Sequence, residues 1–164
     1  MATHIILGID PGIADTGYGL IKVEPGKNPQ CLAYGSIKTP AKTDLAERLA
    51  TLYQELNKII KKYQPQAVAV EQLFFNKNTK TALIVAQARG VALLALKQGG
   101  LLIYEFTPGQ VKQAVSCYGQ ADKCQVQKMV KMLLGLKEIP RPDDAADALA
   151  LALTLSATNI WPRN

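Results

Sequence analysis

Four carboxylates fall at the ends of apolar stretches, where a folded chain can bring distant residues together. Asp10 closes "IILGID" and Glu71 closes "AVAVE". Asp144 and Asp147 lie at the mouth of the apolar run "RPDDAADALALALTL". Each has an ordinary explanation on its own. Asp10 opens an Asp-Pro-Gly turn, and Glu71 could mark an exposed strand end. Asp143, Asp144 and Asp147 could cap a helix and meet its dipole. The dipole favours each exposed carboxylate by about 0.3–1 kcal/mol. Two like charges about 4 Å apart repel by about 1 kcal/mol in water and about 4 kcal/mol at intermediate dielectric. Capping therefore suffices if the helix mouth faces solvent. If it packs beside Asp10 and Glu71, a cation must hold the group together. Four oxygen donors without histidine or cysteine suit a hard ion, Mg²⁺ or Mn²⁺. Two such ions about 4 Å apart would serve in-line phosphodiester hydrolysis.

The elements that must position these residues are legible in the apolar pattern. "IILGID" and "TGYGLIKVE" flank a Pro-Gly turn and predict a β-hairpin, with a third strand in "CLAYGSIKT". Leu45, Leu49, Leu52, Leu56, Ile59 and Ile60 recur at helical spacing, with Thr43 expected to begin the helix and Pro65 to follow it. "QAVAVEQ" and "LLIYEFT" predict two buried strands, separated by a helix over "TALIVAQARGVALLALKQGG". Three helices follow, in "PGQVKQAVSCYG", "KCQVQKMVKMLLGL" and "DDAADALALALTLSAT". The order βββαβαβααα predicts one α/β domain over residues 1–164. Its mixed five-stranded sheet would have antiparallel first three strands and helices on both faces. Asp144 and Asp147, three residues apart, would share one helix face. Ligands bind open α/β sheets at strand ends, where Asp10 and Glu71 are expected.

Composition narrows the chemistry. The single histidine, His4, is expected to be exposed near the terminus; it leaves no set of residues for histidine-based zinc ligation or a Ser-His-Asp triad. Cys31, Cys117 and Cys124 are odd in number and form no CxxC pair, which points to a reducing cytoplasm. No apolar run is long enough to predict a membrane span, and "MATHIILGID" does not read as a signal peptide. The net charge of +6 is concentrated. Residues 77–131 hold eight basic side chains (Lys77, Lys80, Arg89, Lys97, Lys112, Lys123, Lys128 and Lys131) against Glu105 and Asp122. A basic segment beside an acidic cluster suits an enzyme acting on a polyanion; solvated helix faces explain the same charges.

"ILGIDPGIADTGYGLI", "VAVEQLFFNKNTKTALIVAQARGVAL", "PGQVKQAVSCYGQADKCQVQKMV" and "DDAADALALAL" together resemble the bacterial Holliday-junction resolvase family RuvC. The resemblance runs from about residue 4 to 158. It implies an RNase H-like fold, a homodimer with two active sites, and paired, symmetric nicks in four-way DNA junctions that leave 5′ phosphates and 3′ hydroxyls. Such enzymes serve recombination and DNA repair. By resemblance Asp10, Glu71, Asp144 and Asp147 are the catalytic and metal-binding carboxylates, with two Mg²⁺ per site and Mn²⁺ as a substitute. Some members carry histidine in place of Asp144. Asp143 is left as the helix cap. Lys112 and Lys123 match lysines near the scissile phosphate, and Phe74 matches an aromatic that stacks on a base. Lys77 and Lys80, in the same basic segment, are expected to contact DNA. Arg89 is also placed among the DNA-binding residues, on the helix that forms the dimer contact in relatives; pairing with a carboxylate or plain exposure remain open for it. Relatives work beside a branch-migration motor.

Three other readings use parts of this pattern. Another RNase H-like nuclease would employ the same carboxylates on a different substrate. Sugar-kinase-like ATP-binding proteins also open on a Gly-x-Asp-x-Gly hairpin, but they need a second nucleotide-binding half for which 164 residues leave no room. A noncatalytic DNA-binding module explains the basic segment and leaves the four carboxylates without a purpose.

Overall fold

Alternation along the first strand decides how the layers stack. The computed structural model describes residues 3–74 and 79–158. In β1 (His4–Asp10), Leu7 and Ile9 point to one side of the sheet, and Ile6, Gly8 and Asp10 to the other. β2 (Asp15–Val23) returns antiparallel to β1, and β3 (Gln30–Lys38) pairs antiparallel with β2. After helix α1 (Leu45–Tyr63), β4 (Ala67–Glu71) joins β1 in parallel. Helix α2 (Thr79–Gln98) leads to β5 (Leu102–Phe106), parallel to β4. The sheet order is β3-β2-β1-β4-β5. Helices α3 (Pro108–Ser116), α4 (Lys123–Leu133) and α5 (Asp143–Ala157) complete the chain.

The helices divide between the two faces. Leu7, Ile9, Leu20, Val68 and Val70 pack against Leu52, Leu56 and Ile60 of α1 and against Ala88, Ala92 and Leu96 of α2. On the other side Ile6, Ile21, Ala67, Ala69 and Phe106 meet α3, α4 and α5. This is the mixed, doubly covered sheet the sequence predicts, and its arrangement is RNase H-like. Among the described residues no helix is long and apolar enough to cross a membrane.

Local chemistry accounts for the boundaries. Asp44, rather than Thr43, caps α1: its carboxylate accepts the Ala46 N–H at 3.1 Å, while Thr43 N–H turns back to Pro40. Asp and Thr are both competent caps, and the helix begins where the apolar register reaches Leu45. Gln64 ends it in the left-handed conformation, with its N–H on Ile60 at 2.8 Å. Helix α2 starts at Thr79, two residues before the expected Thr81. Capping boxes set the starts of α3 (Thr107 with Gln110) and α4 (Asp122 with Gln125).

Candidate active site

Close approach of α5 to the sheet creates the site. The helix runs across β1 and β2 on a strip of small residues. A methyl group at Gly17 would fall 2.0 Å from the Asp144 carbonyl oxygen, and one at Gly8 would fall 1.8 Å from that of Ala148. Glycine is required at both positions because helix backbone occupies the space a side chain would need. Gly17 pairs with Asp10 in the β1–β2 register, so the contact that seats Asp144 also seats it beside Asp10. Leu149 and Leu155 anchor the helix, both fully buried; each such side chain contributes about 1.5–3 kcal/mol. That burial opposes the like-charge repulsion at the acidic helix mouth.

The two strand carboxylates arrive on the same face by parity. Glu71 follows Ala67 and Ala69 along β4, and Asp10 follows Ile6 and Gly8 along β1; the four nonacidic partners face α5 or pack in its core. The parallel register pairs Ile9 with Val70, so Asp10 and Glu71 end neighbouring strands at one level. The turn after Asp10 is braced. Thr16, 1 % exposed, donates its hydroxyl to the Gly12 carbonyl at 2.6 Å, and Ser36 donates to Asp15 at 2.8 Å.

Carboxylate oxygens of Asp10, Asp144 and Asp147 lie within 4.8 Å of one another, the one such acid, histidine or cysteine group among the described residues. Glu71 stands outside this trio but lines a cleft of about 250 Å³ with Asp147, Lys112, Lys123 and Pro108. Burial, then the charges of Glu71, Asp147 and Asp144, push the Asp10 carboxyl up to about 8, with Lys123 opposing. Glu71 is raised by burial and by Asp147, against Lys123, Arg89 and Lys112. Asp147 is raised by burial, against its hydrogen bond and ion pair with Lys123 at 3.1 Å. Burial disfavours the Lys123 ammonium, but Asp147 and the other aspartates outweigh it and raise its pKa. Burial and mutual repulsion raise Asp10, Glu71 and Asp147 together, so the nearby cationic side chains leave this carboxylate charge only partly compensated. The donors of the site are all oxygen, so the residues fit a hard divalent cation.

Asp143 departs from the expected cap. Pro142 occupies the N-cap position and no side chain caps α5. Asp143 is instead the first helical residue; it accepts from Gln127 at 3.1 Å and Arg141 at 2.6 Å, and lies 3.7 Å from Lys123. The Gln127 hydrogen bond, with the Lys123 and Arg141 charges, lowers its pKa. Gln127 is a residue that sequence reasoning missed. It is 6 % exposed between Val126 and Val130 on the buried side of α4, and a polar residue in that apolar stripe was the available signal.

The expected DNA contacts divide. Lys112 and Lys123 line the cleft. Phe74, three residues beyond Glu71, is 60 % exposed rather than packed in the core. Lys80 is exposed in the first turn of α2, and Lys77 lies outside the described residues. Arg89 turns inward: it donates to the Glu71 carbonyl oxygen at 2.5 Å and pairs with Glu105 at 2.8 Å. Glu105 was not singled out from the sequence, where it reads only as one of two acids in a basic segment.

Comparison with known proteins agrees with this architecture. The family model described as "Crossover junction endodeoxyribonuclease RuvC" matches residues 6–155. A protein of that name from Heliobacterium modesticaldum is 56% identical over 157 residues, 96% of each chain. One from Desulfitobacterium hafniense is 59% identical over 149 residues, 91% of this chain and 90% of that one. The solved structure of Thermus thermophilus RuvC in complex with a Holliday junction substrate superimposes with a TM-score of 0.88 at 38% identity, covering 93% of both chains. With the family model spanning nearly all of the chain and the carboxylate face intact, this chain belongs to the RuvC family of crossover junction endodeoxyribonucleases.

Proposed function

We propose that this chain resolves four-way DNA junctions by paired, symmetric, metal-dependent nicks that leave 5′ phosphates and 3′ hydroxyls, in recombination and repair. The observation that carries the proposal is the trio Asp10, Asp144 and Asp147, gathered within 4.8 Å at the end of a sheet whose cleft is rimmed by lysines. Asp10, Glu71, Asp144 and Asp147 would hold two Mg²⁺, for which Mn²⁺ could substitute. When bound, the ions activate the attacking water and stabilise the leaving 3′ oxygen. Ionised, the Asp10 carboxylate would join the other three as an oxygen donor. Lys112 and Lys123 draw the scissile phosphate into the cleft. Lys123 exchanges its pairing with Asp147 for phosphate oxygens. Phe74, exposed beside the site, stacks on a base near the crossover, and Lys77 and Lys80 contact the backbone. Arg89, expected among these DNA contacts, has its guanidinium committed within the chain.

Paired nicking needs two sites, and a homodimer supplies them. Helix α2 leaves Leu83 and Leu94 65% and 52% exposed, with Gly90 opening onto free space between them. An apolar stripe containing a glycine suits close packing against a second copy. We place the whole chain, as one nuclease domain, in the cytoplasm beside a branch-migration motor. The cytoplasm agrees with the free Cys31, Cys117 and Cys124; the motor follows family resemblance alone.

Cleavage of a synthetic four-way junction beside a linear duplex of the same sequence, with Mg²⁺ or EDTA, tests the proposal. Symmetric nicks in the junction alone, and only with metal, are expected. Metal-dependent cutting of the linear duplex or of an RNA–DNA hybrid would retain a nuclease and discard junction selectivity. Binding without cutting would leave a noncatalytic module.

A further inference from the structure

An arginine on an apolar helix needs a reason to face the protein interior. The Arg89 side chain is 11% exposed, whereas Leu83 and Leu94 of the same helix stand in solvent. At 100° per residue these two leucines lie about 120–140° round the helix from Arg89, so Arg89 sits on the flank of the buried face of α2, beside Ala88 and Ala92, while Lys80 and Lys97 stay in solvent. The Arg89 charge reaches two strand ends. Nη1 donates to the main-chain carbonyl of Glu71, the last residue of β4. Nη2 pairs with Oε2 of Glu105, one residue before the end of β5. The guanidinium therefore ties the residue whose carboxylate enters the cleft to both the neighbouring strand and the helix behind it. Its planar fork matches this work, because two acceptors on different strands are held by one rigid group. Beyond Glu71, Gln72 N–H donates to the Phe106 carbonyl at 2.8 Å, the last β4–β5 bond among the described residues.

We infer that Arg89, held by Glu105, is a positioning residue for Glu71, setting from behind the sheet where that carboxylate enters the metal-binding cleft. It touches neither substrate nor reacting atoms. The inference rests on the reading of Glu71 as a metal-holding carboxylate. It differs from a DNA-contact role, in which the arginine would turn toward the polyanion.

Arg89→Met, Arg89→Lys and Glu105→Gln separate the two roles. Four quantities are measured: the single-turnover nicking rate at saturating protein, the Mg²⁺ concentration for half-maximal rate, junction affinity in EDTA, and the Mg²⁺-induced rise in melting temperature. Losing an outer partner of a metal ligand costs about 10- to 100-fold in metal affinity or activity. Arg89→Met is expected to lower the rate and raise the Mg²⁺ requirement within that range while junction affinity holds. Arg89→Lys recovers part of the loss, since an ammonium keeps the charge without spanning both acceptors. Glu105→Gln shows a smaller loss in the same direction, because the bond to Glu71 survives. Weakened junction binding with an unchanged saturated rate and Mg²⁺ requirement would overturn the inference in favour of a DNA contact. A lower melting temperature with all other quantities intact would reduce Arg89 to a strut and also overturn it. Should Arg89→Met fail to fold, Arg89→Lys and Glu105→Gln decide by the same readouts. If the wild type nicks no junction, the proposed function fails separately, and the Mg²⁺-induced stabilisation in wild type and Arg89→Lys still decides this point.

Discussion

The two faces of the sheet are packed to different ends. On the α1–α2 side, large aliphatic side chains fill the space between sheet and helices, led by Leu7, Ile9, Leu20, Leu52 and Leu56. On the α5 side, Gly8, Gly17, Ala67, Ala69 and Ala148 remove side-chain volume until helix backbone rests on strand backbone. The first arrangement contributes stability through burial. The second fixes distance, and all four candidate catalytic carboxylates emerge on that side. A volume-packed face can relax around a lost methyl group, but a backbone contact has no soft side chain to yield.

The largest expected effect attacks the positioned face directly. Asp10→Asn or Glu71→Gln is expected to remove nicking while leaving junction binding largely intact, because affinity rests on lysine contacts to phosphate. Gel-shift and cleavage assays on one preparation check this; joint loss of binding and nicking would undo the division of labour.

A paired substitution sharpens the contrast between the faces. Gly17→Ala forces a methyl group into the Asp144 backbone and is expected to cost about 1–3 kcal/mol. It should also lower nicking about 100-fold, since small misplacements of reacting groups have large rate effects. Leu56→Ala, from the opposite core, is expected to cost about 2–5 kcal/mol in denaturant unfolding yet leave the rate of the folded protein near wild type. Equal loss of rate in both variants would erase the distinction.

A third test addresses the outer side of the volume-packed face. Leu94→Lys places charge in the exposed stripe of α2; if that stripe is the proposed dimer contact, sedimentation equilibrium should show a dimer for the wild type and a monomer for the variant. Nicks in opposite strands should then lose their coordination.

The last effect, on stability rather than on nicking, is its dependence on pH. Asp10 titrates near 3.8 in an unfolded chain and at about 8 in the folded site. The folded protein then binds more protons than the unfolded chain, so stability falls as pH rises through this window. Glu71 and Asp147 are raised as well and act in the same sense. Calorimetric melting in EDTA should show a declining temperature from pH 5 to 8, roughly this window. Asp10→Asn should flatten the decline, and Mg²⁺ should counter it most at the alkaline end.

Element order was legible in the sequence because it rests on local patterns, and so was the placing of Asp10 and Glu71 at strand ends. Apolar runs bounded by turn residues marked the strands, helical apolar spacing marked α1, and Asp10 and Glu71 closed their strands as expected. What stayed hidden depended on contacts far apart in the chain. Gly8 and Gly17 look like ordinary strand or turn glycines until α5 is laid across them. Asp143 looked like a cap because capping is a local rule; Gln127, sixteen residues earlier, and Arg141 hold its carboxylate instead. Arg89 carried the family's label and three open readings, and only the packing of α2 against β4 and β5 shows where its guanidinium goes. The shift from Thr43 to Asp44 at the start of α1 reflects two adjacent residues that are both good caps.

The most direct test of the central claim, that α5 pressed on the sheet assembles a cation site, is calorimetric titration of metal-free protein with Mg²⁺ beside Asp10→Asn. The account predicts saturable binding by the wild type and its loss in the variant, with both proteins folded. Absence of Mg²⁺ binding by the wild type, or undiminished binding by Asp10→Asn, would contradict it.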